Sequence, residues 1–214
     1  TTGRKPSSQA PCVLAFDQTP TRPLLARPVC SVFTSSPAHK RASAVFPQKD
    51  KLIRNLMGIL TEAQVGNPLT FPMCGLGSDD WVSALLKSNA TIPLGELGPD
   101  HESWGMSDAG GGKLSILDRP RQHKAYAEAG SFGTYLFETY GINKLKQLQR
   151  LSQDKNRPFR DVFGIGLQEL ETNWLEHLRT AGRTVGSADS TAAALLGRNP
   201  ASACSEAQQH AARR

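Results

Sequence analysis

Apolar residues recur at helical spacing over several separate stretches of this chain. In 49–65 the apolar positions are Leu52, Ile53, Leu56, Met57, Ile59 and Leu60, which predicts an amphipathic helix ended by Gly66-Asn67-Pro68. Asp79 and Asp80 can cap a short helix holding Trp81, Val82, Leu85 and Leu86. Ile92-Pro93-Leu94-Gly95-Glu96-Leu97 reads as a turn or short extended piece, and 98–121 as a loop. A helix is expected over about 122–140, with Tyr126, Ala129, Phe132, Leu136 and Tyr140 along one stripe and Gly141 past its end. A second is expected over about 143–153, with Leu145, Leu148 and Leu151 inward. After a short turn at 159–163 comes a last helix over about 167–180. There Leu167, Leu170, Trp174 and Leu178 share one face of a 3.6-residue period.

Outside these stretches the pattern lapses. Residues 1–48 carry seven of the fourteen prolines, with Ser and Thr between them. Proline removes backbone donors and turns the preceding residue away from helix, so this segment reads as disordered. Residues 182–214 are rich in Ala, Ser and Gly and read as a flexible tail. The expected fold class is all-α, a small bundle of about four to five helices. Its expected organisation is a Pro/Ser-rich basic segment at 1–48, a helical subdomain at 49–181 and the tail at 182–214.

Charge follows the same division. Residues 1–50 hold seven Lys/Arg against two Asp, whereas 51–214 hold eighteen against seventeen. The basic character belongs to the leading segment, so nucleic-acid binding is not expected of the helical part. A basic tail touching nucleic acid or an acidic membrane surface is a separate reading. The chain's 38% apolar content suffices for a core over part of its length. No run of about 18 apolar residues occurs, so no transmembrane segment is expected. The sequence does not indicate a compartment or an oligomeric state.

Cys12, Cys30, Cys74 and Cys204 form no Cys-x-x-Cys pair, and none is near a histidine at ligand spacing. Free thiols are expected, with a Cys12–Cys30 disulfide as the alternative in an oxidising compartment. Gly110-Gly111-Gly112-Lys113-Leu114 has no Ser/Thr after the lysine and is a loop rather than a phosphate cradle. Ala129-Gly130-Ser131-Phe132-Gly133 imitates a nucleophile elbow but continues a helix where the elbow needs a strand. Its small residues suit the close approach of a neighbouring helix instead. Phe132, Phe137, Phe159, Phe163 and Trp174 are expected in the core.

From Tyr126 the sequence reads Tyr-Ala-Glu-Ala-Gly-Ser-Phe-Gly-Thr-Tyr-Leu-Phe-Glu-Thr-Tyr-Gly. A second helical run follows, then a Leu-Glu-x-x-Trp-x-x-x-Leu helix over 170–178. This order resembles the C-terminal helical part of gluzincin-type (peptidase MA-like) zinc metallopeptidases, densely over 123–178 and loosely over 69–180. The resemblance implies an all-α subdomain behind the zinc-bearing helices of enzymes that hydrolyse peptide bonds. It implies that Tyr126 corresponds to a tyrosine donating its hydroxyl to the tetrahedral oxyanion, which makes it the one catalytic candidate. It also makes Leu170-Glu171-x-x-Trp174 a recurring element in which Glu171 has a capping or inter-helix role.

The family grips zinc through His-Glu-x-x-His, since histidines four apart face one way from a helix. Here His39, His101, His123, His177 and His210 include no such pair, and His101-Glu102-Ser103-Trp104-Gly105 ends on glycine. Glu62, 64 positions before Tyr126, weakly matches the setting of the third ligand. No metal ligand and no cofactor are therefore expected in this chain. It reads as a truncated or degenerate segment, with a peptide substrate only if a zinc-bearing segment completes it. The alternative is a non-catalytic helical module for binding a partner protein.

Overall fold

The Asp50 side chain accepts the Ile53 N–H and opens the first helix, α1 (Lys51–Val65). The computed structural model describes residues 50–111, 113–180 and 187–213, all within a single compact unit. Residues 1–48, Cys12, Cys30 and His39 included, lie outside the described residues. The other helices are α2 (Ser78–Lys87), α3 (Arg119–Leu151), α4 (Phe159–Phe163), α5 (Leu167–Thr180), α6 (Ser187–Arg198) and α7 (Ala203–Ala211). Over the described residues the protein is all-α apart from a two-stranded antiparallel hairpin, β1 (Met106–Asp108) with β2 (Leu114–Ile116). Short 3-10 turns occur at Leu94–Glu96 and Glu102–Trp104. Among the described residues no helix is long and apolar enough to cross a membrane.

α3 is the axis of the molecule, and α1, α2, α4 and α5 all pack on it. Small residues let α1 come close. A Cβ added at Gly130 would stand 2.6 Å from Ile59 Cγ2 and 2.7 Å from Ser78 Oγ, and one at Gly133 would stand 3.2 Å from the Leu56 carbonyl oxygen. Leu52, Ile53, Leu56, Phe132, Leu136, Leu170 and Trp174 fill the core. The Trp174 indole N–H donates to Ser131 Oγ at 3.1 Å, so the serine of the elbow-like sequence is a buried packing partner rather than a nucleophile.

α3 begins earlier than the pattern suggests, because Asp118 caps it through the Arg121 N–H and Pro120 is tolerated in the first turn. Its continuous run hides a break at Gly141, whose φ of 78° leaves the helical region at the position expected for a helix end. Phe137 is 37% exposed, against the expectation of a core residue. The expected 98–121 loop contains the hairpin and the second 3-10 turn.

The tail expected over 182–214 is corrected over its described part. Residues 187–198 and 203–211 form α6 and α7, and α6 lies against α2. They are held by small side chains: Ala192, Ala203 and Ala207 are buried, and Gln208 Nε2 donates to the Leu69 carbonyl at 2.8 Å. The expectation of free thiols is also corrected. Cys74 and Cys204 form a disulfide across 130 positions, joining α7 to the turn after α1.

Candidate functional site

Lys51, Arg54 and Asn55 stand at i, i+3 and i+4 on α1 and so share one face. Tyr126, in the third turn of α3, meets that face. Its hydroxyl lies beside the Asn55 amide, and its ring packs 5.2 Å from Phe71 and 5.2 Å from Trp104, the latter edge-on. Burial, countered by Arg54 and Asn55, pushes the Tyr126 phenol above its usual range. The group is thus a protonated donor at neutral pH.

Lys51 closes the site from the other side. It is 3% exposed, lies 5.9 Å above the Trp104 ring, donates to the Asp100 carbonyl at 3.1 Å and sits 2.5 Å from His101 Nδ1. Burial, with Arg54 next, lowers its pKa to about 8, while Asp100 and Glu102 act the other way. His101 is lowered by burial and then by Lys51 and Arg54, so it is an uncharged acceptor for the lysine. Asn55 Nδ2 is buried without a hydrogen-bond partner. The cluster therefore gathers donors: a phenol, an amide, an ammonium and a guanidinium. Such a set complements negative charge on an oxygen.

The residues do not fit a hydrolytic zinc at this place. His101 directs Nδ1 to Lys51, and the position four residues on is Gly105, a left-handed cap with φ 73°. Glu62 is not beside Tyr126, being seven residues and about 10 Å further along α1 than Asn55. It accepts from the Asn67 N–H and the Thr70 hydroxyl and so fastens the turn after α1. His177 packs on Tyr135 at 5.5 Å, and His210 lies in the last turn of α7. Among the described residues one cluster has ligand-like spacing, and it is elsewhere: Cys74, His123 and Cys204.

Two buried carboxyls escaped the sequence reading. Glu128 is fully buried, its Oε1 accepts the Ile92 N–H at 2.9 Å and its Oε2 has no partner. Burial raises its pKa to about 8. Glu171 Oε1 accepts the Leu94 N–H at 2.8 Å, and burial raises it as well. Together they clamp Ile92-Pro93-Leu94 to α3 and α5. The inter-helix role suggested for Glu171 thus takes the form of a bond to a turn. Arg157 fixes the far side of that turn, donating to Asp50 at 3.0 Å and to the Leu97 carbonyl. Glu128 carried a faint signal, a lone carboxylate on an otherwise small and apolar face. The 92–94 partners carried none.

No family, curated protein or solved structure matches this chain.

Proposed function

We propose that residues 49–181 are a peptidase MA-like helical subdomain that does not hydrolyse peptide bonds by itself. The surroundings of Tyr126 carry this reading. The tyrosine that the sequence resemblance singles out lies among hydrogen-bond donors, as an oxyanion-facing phenol would, yet among the described residues no paired imidazoles stand beside it. Support also comes from the small residues of α3 pressed against α1 and from the Glu171 and Trp174 contacts of the Leu-Glu-x-x-Trp helix. Each gives a letter of the resemblance a packing reason. In this reading the helices form the wall behind a substrate cleft that a zinc-bearing segment would complete.

The test is hydrolysis of a mixed fluorogenic peptide library by the purified chain and by Tyr126→Phe, with and without added zinc. The expected rate is that of the blank in all four conditions. Zinc-dependent turnover lost in Tyr126→Phe would contradict the reading and make the chain a complete enzyme.

A further inference from the structure

His123 lies on the face of α3 that meets the turn after α1, one helical turn before Tyr126. It is 4% exposed and packed between the Phe71 ring at 5.8 Å and the Trp81 ring at 4.5 Å. Its Nε2 is 3.1 Å from the Pro72 carbonyl oxygen, which fixes the ring. The same oxygen lies 3.4 Å from Cys74 Sγ. A ring nitrogen of His123 and the two sulfurs of Cys74 and Cys204 all fall within 4.8 Å of one another. Three elements distant in sequence thus bring two sulfurs and one imidazole to a single buried point. Closing a disulfide needs only the two cysteines, and the imidazole is the unexplained third member.

We propose that Cys74, Cys204 and His123 form a redox-gated zinc site, closed while the sulfurs are joined and open once they are reduced. Tetrahedral zinc with two thiolates and an imidazole sets neighbouring donors about 3.5–4 Å apart. The three donors already lie within 4.8 Å of one another, and parting the sulfurs on reduction moves them toward that spacing. Two thiolates and an imidazole are soft and borderline donors, suited to zinc rather than to magnesium or calcium. Cys204 is partly exposed on α7, so a reductant and the metal have an approach, and water supplies the fourth position.

The exchange balances with a small thiol as reductant. Two RSH become RSSR, the Cys74–Cys204 bond breaks, and its sulfurs take up two electrons and two protons. Zinc(II) then displaces both thiol protons. This site is remote in kind from a hydrolytic gluzincin centre and does not rest on the function proposed above.

The experiment uses the full chain, reduced anaerobically with a phosphine, freed of reductant and titrated with cobalt(II), then zinc(II). One cobalt per reduced chain with a thiolate-to-cobalt charge-transfer band is expected, bleached by zinc, and the disulfide form should show no band. Cys204→Ser should lose most of the band. His123→Gln should weaken cobalt binding about tenfold or more. Circular dichroism is recorded throughout. Helicity lost on reduction and regained with zinc would support the site, and helicity lost and not regained would overturn it. So would a reduced chain without the band, or a His123→Gln chain with unchanged affinity, either of which leaves a plain structural disulfide.

Discussion

At the residue scale, the ionisable groups that matter are those the core has swallowed. Glu128 keeps its proton to about pH 8 in the folded chain against 4.5 for the free side chain. Between those values the folded state binds the extra proton. Stability therefore falls as pH rises through that window, by at most about 1.4 kcal/mol per pH unit. His123 has the opposite sign. Its pKa drops from 6.5 to about 4, so the unfolded chain binds the extra proton and stability rises with pH across that range. The two offset each other between about 4.5 and 6.5, and from about 6.5 to 8 Glu128 acts without His123. Glu128→Gln keeps an acceptor for the Ile92 N–H and removes the titration. Urea midpoints measured from pH 6.5 to 8 should fall less steeply in the variant than in the parent. Parallel slopes would mean that Glu128 ionises like a surface carboxylate. Beyond the faint mark of a lone carboxylate at Glu128, none of this was legible in the sequence, where the bond partners of Glu128 and Lys51 lie 36 and 50 positions away.

At the scale of elements, the helices with an apolar stripe were legible and those without one were not. α1 and α5 match the sequence expectation closely because Leu and Ile repeat at helical spacing in the first, and Leu and Trp in the second. α6 and α7 bury mainly alanine, and an alanine-serine-glycine composition reads the same in a packed helix as in a tail. The hairpin escaped because each strand is three residues long, too short for an alternation to register. The small-residue run of α3 did announce its role, as the surface against which α1 packs. Gly130→Ala should test that contact. Its methyl group would press on a β-branched side chain held in the core, so a loss of about 1–3 kcal/mol in equilibrium unfolding is expected. A neutral outcome would mean that α1 and α3 can separate at little cost.

At the scale of the whole molecule, one covalent link ties the C-terminal helices to the turn between α1 and α2. Loop-closure reasoning for a bond spanning 130 positions gives about 5 kcal/mol, of which disulfides typically deliver about 2–4 kcal/mol. Reduction without metal should lower the denaturant midpoint accordingly, and Cys204→Ser should reproduce the shift. An unchanged midpoint would mean that α6 and α7 hold their place by packing alone. In the proposed reading, the described helices form a wall whose tyrosine faces donors rather than a metal. Zinc titration into the chain with its disulfide intact decides between the two. Calorimetry should give no stoichiometric binding. One tight zinc per oxidised chain, lost on replacing His101 or Glu62 and accompanied by peptide hydrolysis, would contradict that reading.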